Sequence, residues 1–205
     1  MEVLEQLGVA LGFASLAGIN LYLTTLVASL AIHFNWLTLS DKYDQLAVLG
    51  DPWIIGVSGT LFALEFFADK IPWVDSTWDV LHTLIRPVGG VLLALAALGQ
   101  LDPTISVIAG LLAGSATLTT HLAKSGTRAV INLSPEPVSN ITASTAEDGL
   151  VLGGLGLMAL APVASFFVFL GLIILAAWLV WKTSGFLQRS FQRLRNRHTQ
   201  TEAEA

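Results

Sequence analysis

The sequence predicts an all-α fold: a polytopic transmembrane helical bundle of about six spans, N-in and C-in. Three observations carry this. Mean hydropathy is +0.70, and only 12% of the 205 residues are charged. Apolar runs of about 15–28 residues recur, against the roughly 20 that a helix needs to cross a hydrocarbon core about 30 Å thick. The charged residues are confined to short islands between those runs.

The first run, 7–34, follows Glu2 and Glu5 rather than the basic flank of a cleavable signal, so it is expected to be retained. At about 1.5 Å per residue it would reach roughly 42 Å, too long for one perpendicular crossing. Gly18-Ile19-Asn20 at its middle predicts a kink or a broken half-helix. The second and fourth runs, 52–68 and 103–122, open on Asp51-Pro52 and Asp102-Pro103, a cap followed by the residue favoured at the first helical position. The third is 84–98 and the sixth 163–181. The fifth, 149–160, is short and borrows residues from its flanks. The chain then divides into a transmembrane domain over 1–182, a basic amphipathic juxtamembrane helix over 183–198, and a disordered acidic tail over 199–205.

Basic residues set the orientation, since acidic ones count for little in sidedness. Under six crossings, Lys70, Arg86, Lys124, Arg128, Lys182, Arg189, Arg193, Arg195 and Arg197 share one face, and Lys42 alone takes the other. A five-span arrangement is expected to misplace either the second loop or the tail. Tryptophan agrees: Trp36 and Trp53 fall at the outer boundary, and Trp73, Trp78, Trp178 and Trp181 near the inner one.

Residues 51–79 and 102–148 share an order of features. Asp51, Pro52, Ile54, Gly59 and Leu61 recur at constant offset as Asp102, Pro103, Ile105, Gly110 and Leu112. Each stretch ends at a helix-start signal, Ser76-Thr77-Trp78-Asp79 or Ser144-Thr145-Ala146-Glu147-Asp148. Two hairpins of one orientation would follow, with a site favoured between them; generic helix starts are the plainer alternative. Small-xxx-small spacings at Gly8 and Gly12, Gly110 and Gly114, and Gly149 and Gly153 suit close packing, within one chain or between copies in a homo-oligomer.

The islands supply the candidate site. Glu65, Asp69 and Lys70 close the second span; Asp79, His82 and Arg86 share one helical face; His121, Lys124 and Arg128 share another; Glu147 and Asp148 open the fifth span. Ionisable groups near hydrocarbon are costly, so they pair or line a wet cavity. One reading is an ion, proton or solute site; the other is structural pairing of snorkelling loop charges. Asn20 and Tyr22, beside Gly18, make a second candidate at the presumed helix break.

Several classes are excluded or weakened. Cysteine is absent, so disulfide and thiol chemistry do not arise. There is no His-Glu-x-x-His, no Gly-x-Ser-x-Gly and no phosphate-binding glycine loop, which argues against an enzyme and predicts no cofactor or metal. The tail places Leu187, Phe191 and Leu194 on one stripe and Arg189, Arg193 and Arg197 on another, which suits anionic lipid at the interface and not nucleic acid.

Three blocks together carry a resemblance. They are Gly18-Ile19-Asn20-Leu21-Tyr22-Leu23-Thr24; Glu65-Phe66-Phe67-Ala68-Asp69-Lys70-Ile71-Pro72 with Val74-Asp75-Ser76, Trp78-Asp79 and His82-Thr83; and His121, Lys124, Arg128, Asn132, Ser134-Pro135, Ser144 and Glu147-Asp148. They resemble the domain-of-unknown-function family DUF4126, polytopic proteins of bacteria including cyanobacteria. The resemblance implies a bacterial inner membrane, or a thylakoid membrane, and no established activity. The leading expectation is a small transporter or channel for an ion or small polar solute. The alternative is a non-catalytic scaffold or assembly factor that docks a partner through its charged loops.

Overall fold

The computed structural model describes residues 2–36, 41–132 and 137–203. Six α-helices follow in order: α1 (Glu2–His33), α2 (Pro52–Ala68), α3 (Pro72–Leu98), α4 (Pro103–Ile131), α5 (Pro137–Leu160) and α6 (Pro162–Ala203), with a 3-10 helix (Asp41–Gly50) between α1 and α2. The described residues contain no strand. Every helix after the first opens on proline, whose fixed φ and missing N–H suit that position. Asp51 and Asp102 cap α2 and α4 identically, each accepting from the backbone N–H two residues on at 2.8 Å.

α1 is two arms joined at Asn20, whose φ of −149° and ψ of 97° leave the helical region. Its neighbours establish the direction of each arm. Gly8 abuts Pro162 and Ser165, Gly12 abuts Met158, and Leu16 lies over Gly154. Asn20 then hydrogen-bonds Asp148. The first arm therefore runs antiparallel to α5. The second arm packs Leu26 over Gly59 and Ile32 over Gly50, so it runs antiparallel to α2. Since α2 and α5 point opposite ways along the bundle, α1 enters and returns as a V.

The break expected at Gly18-Ile19-Asn20 is present, and it turns α1 back on itself. Glu5 is ion-paired to Lys42, and Gln6 donates to the Lys42 carbonyl. A straight helix of 32 residues would hold its ends about 48 Å apart. The beginning of α1 instead shares one end of the bundle with the 3-10 helix and the α5–α6 turn, while α6 runs away from it. With α1 turned back on itself, α2 to α4 and their connections keep Lys70, Arg86, Lys124 and Arg128 together toward the other end of the bundle.

By length and composition four helices are apolar enough to cross a membrane: α1, Trp73–Leu98 within α3, α4, and Pro162–Phe186 within α6. The 3-10 helix and α2, meeting at 65°, make a fifth if taken as one span. α6 continues to Ala203. No glycine or proline after Gly185 interrupts it. The side chains of Arg189, Arg193 and Arg197 lie outside the described residues.

The distribution of polarity is inverted relative to a water-soluble protein. Leu84, Leu92, Leu111, Leu112, Ile174 and Trp181 are exposed, whereas Arg86 and Arg128 are the largest fully buried side chains. An apolar exterior around a charged interior is the arrangement a bilayer selects. The first arm of α1 sits at the centre, held to α4 by the Thr117 hydroxyl donating to the Ala14 carbonyl at 2.8 Å. Gly8 and Gly12 pack inward, and Gly110 and Gly114 face Val91. Gly149 and Gly153 meet nothing within 4 Å.

Candidate functional site

The break in α1 is the first component. Leaving helical geometry at Asn20 frees backbone groups on both sides, and buried ones must find partners. The Gly18 carbonyl accepts from Arg86 at 3.0 Å. Asn20 acts as N-cap of the second arm: its Oδ1 accepts from the Leu23 N–H at 2.9 Å. Its Nδ2 donates to Asp148 at 3.0 Å. A cation thus stands at the carbonyl end of one arm and a carboxylate near the amide end of the other, the orientation helix dipoles favour. Gly18 must be glycine, since a methyl group there would overlap Thr120 and the Thr117 carbonyl.

Two histidines line the cluster with defined tautomers. His82 donates from Nδ1 to the Trp78 carbonyl at 2.8 Å, so its Nε2 accepts from the Tyr22 hydroxyl at 2.9 Å. His121 donates from Nε2 to the Asp79 carbonyl at 3.1 Å. Its Nδ1 accepts from Arg86 at 2.9 Å, which requires a neutral ring.

The ion network spans α2 to α5. Arg86 pairs with Glu65 and lies 3.7 Å from Asp79. Lys124 reaches Asp69 at 3.1 Å and both Glu65 and Glu147 at 3.6 Å. Arg128 forms a fork on Glu147, with both bonds at 3.0 Å, and donates to the Asn140 carbonyl at 2.9 Å. Charges this deep persist only when paired, and losing one partner strands the other. The side chains of Glu65, Arg86, Asp69, Lys124 and Arg128 are almost wholly covered; that of Glu147 is 19% exposed.

Every residue proposed from the sequence for this site lies in or beside it, with different standing. Lys70 is at the margin: its ammonium sits over the Phe66 ring and donates to the Phe66 carbonyl at 2.9 Å. Burial pulls that ammonium below the usual lysine range, against the attraction of Asp148 and Asp69. Asp148 has an amide partner and no cation within 4 Å among the described residues. Asp75, Asn132, Asn140 and Thr83 were not singled out as site residues. Asp75, Thr83 and Asn132 fall within the blocks that carry the family resemblance, and Asp75 is also one helical turn before Asp79; Asn140 reaches the site only through tertiary contacts.

Several buried polar atoms here have no hydrogen-bond partner among the described residues: Glu65 Oε2, Asp69 Oδ1, Asp75 Oδ1 and Asp79 Oδ1 as acceptors, and Arg86 Nε, Asn140 Nδ2 and Ser144 Oγ as donors. A cavity of about 210 Å³ between α1, α4, α5 and α6 reaches Lys124 and Glu147, with Thr120 and Thr127 beside them and Leu172 and Leu175 opposite. A larger groove of about 580 Å³, between the second arm of α1, α2 and α3, is almost wholly apolar and touches the network only at Tyr22. Among the described residues, no three His, Asp or Glu side chains converge as metal ligands.

A family model described as a domain of unknown function, DUF4126, matches residues 7–182. The chain belongs to that family. No curated protein and no solved structure matches it.

Proposed function

We propose that this DUF4126 member is a small integral membrane transporter or channel for an ion or small polar solute. The observation that carries the reading is a charge network of Glu65, Asp69, Arg86, Lys124, Arg128 and Glu147 closing on a broken helix. Broken helices at membrane depth are tolerated where they are buried in protein or line a cavity, and their dipole ends serve ion and substrate sites in transporters. The 210 Å³ cavity gives the network an approach at Lys124 and Glu147. The end carrying Lys70 and Arg128 is assigned to the cytoplasm on the positive-inside rule.

Burial of the same charges weighs against a scaffold that would dock a partner through them, because docking needs accessible side chains. The test is flux in proteoliposomes across a panel of ions and small polar solutes, comparing wild type with Glu65→Gln and Lys124→Gln. Loss of flux in both is expected. Flux equal to wild type in both would defeat the reading.

A further inference from the structure

We infer that the proton is a ligand of this site, carried by Asp75 and Asp148; this rests on the transport reading and gives it a coupling ion. Two independent features lead there. The first is charge balance. Six carboxylates, Glu65, Asp69, Asp75, Asp79, Glu147 and Asp148, face Arg86, Lys124 and Arg128, with Lys70 at the margin. Fully ionised, that set carries an excess of two negative charges. Uncompensated charge out of water is costly, and a carboxylate escapes the cost by taking up a proton.

The second feature is geometric and identifies the carriers. Glu65, Asp69, Asp79 and Glu147 each lie within 4 Å of a lysine or arginine. Among the described residues Asp75 and Asp148 have no such partner. Each is held instead by a side-chain amide: Asn132 donates to Asp75 Oδ2 at 3.1 Å, and Asn20 donates to Asp148 Oδ1 at 3.0 Å. An amide donor satisfies one oxygen and leaves the other free to bear hydrogen. Asp75 is 0% exposed, and its Oδ1 has no hydrogen-bond partner among the described residues. The charged groups facing it are Arg128 of α4, Asp79 of its own helix and Asp69 after α2. Those facing Asp148 are Lys124 of α4, with Asp69 and Lys70 after α2.

A proton needs one oxygen, whereas a metal cation needs several converging ones, and no such set is present among the described residues. The step is simple protonation: a carboxylate oxygen takes H⁺ from water and becomes a carboxyl, and the reverse returns it. At Asp148 the change occurs against Asn20, the cap of the second arm of α1. An ionised Asp148 is favoured by the amide end of that arm and a neutral one is not, so the proton biases the break.

The test uses the full chain in liposomes and infrared difference spectra recorded as pH is stepped, reading the carbonyl stretch of protonated carboxyls. Wild type is expected to show two titrating carboxyls; Asp75→Asn and Asp148→Asn each lose one, and the double variant loses both. Melting temperature verifies folding. If Asp75→Asn does not fold, Asp148→Asn and Asp75→Glu carry the test, the latter shifting the titration without abolishing it. A wild-type band unchanged in Asp148→Asn would overturn the inference. So would a melting temperature that depends on sodium or potassium at fixed pH and ionic strength. Carboxyl titration without solute flux would defeat the transport reading alone; flux without titration would defeat this one alone.

Discussion

The Arg86 guanidinium donates to the Gly18 carbonyl at 3.0 Å, tying the middle of α3 to the end of the first arm of α1. The same side chain pairs with Glu65 and donates to His121. One cation thus joins the helix break, α2 and α4.

Removing Arg86 strands several groups at once. Arg86→Met is expected to destabilise the fold by about 3–5 kcal/mol, because buried Glu65 loses its nearest cation and keeps only Lys124 at 3.6 Å. Arg86→Lys keeps the charge but not the fork, and falls between. Arg86→Met with Glu65→Leu recovers part of the loss. Thermal unfolding in detergent ranks the four proteins; a double variant no better than Arg86→Met would contradict the pairing.

Asn20 is expected to act as a cap first. Asn20→Ala loses the bond to the Leu23 N–H, costing about 1 kcal/mol, and also the link to Asp148. Asn20→Asp keeps an acceptor for Leu23 but sets a second carboxylate beside Asp148, so at neutral pH it should be less stable than wild type. Protease resistance of the two variants measures this.

Gly18 and Gly149 predict opposite outcomes for one substitution. Gly18→Ala forces a methyl group into Thr120 and the Thr117 backbone, and overpacking of that kind costs about 1–3 kcal/mol. Gly149→Ala meets nothing within 4 Å and gains helix propensity. Melting temperatures should fall for the first and hold or rise for the second.

The V of α1 makes a topological prediction. The chain has no cysteine, so introduced ones report alone. Val3→Cys and Asp44→Cys should react with an impermeant thiol reagent from one side of the membrane, and Lys70→Cys from the other. A Glu5→Cys, Lys42→Cys pair should cross-link with a short bismaleimide, which a straight first span forbids.

Much was legible in the sequence because it depends on local spacing. Helix content, the Asp-Pro starts and the break near Gly18-Ile19-Asn20 follow from composition and turn chemistry. Convergence of acidic and basic helix ends was also foreseeable, since charges near hydrocarbon must pair. The path of α1 was not. A run of that length suits a tilted span, a kinked one or a re-entrant one equally well, and hydropathy is the same for all three.

The sequence by itself determined that this protein is helical and apolar, with its charges gathered in short islands, because those properties reside in each residue and its near neighbours. Only the tertiary structure decided that α1 turns back, that the 3-10 helix meets its first arm through Lys42 and Glu5, and that Asp75 and Asp148 have no lysine or arginine within 4 Å among the described residues. The physical reason is that these outcomes depend on distant partners. Arg86 satisfies the Gly18 carbonyl freed at the break, and Asp148 accepts from the Asn20 side-chain amide, from positions 66 and 128 residues beyond Asn20.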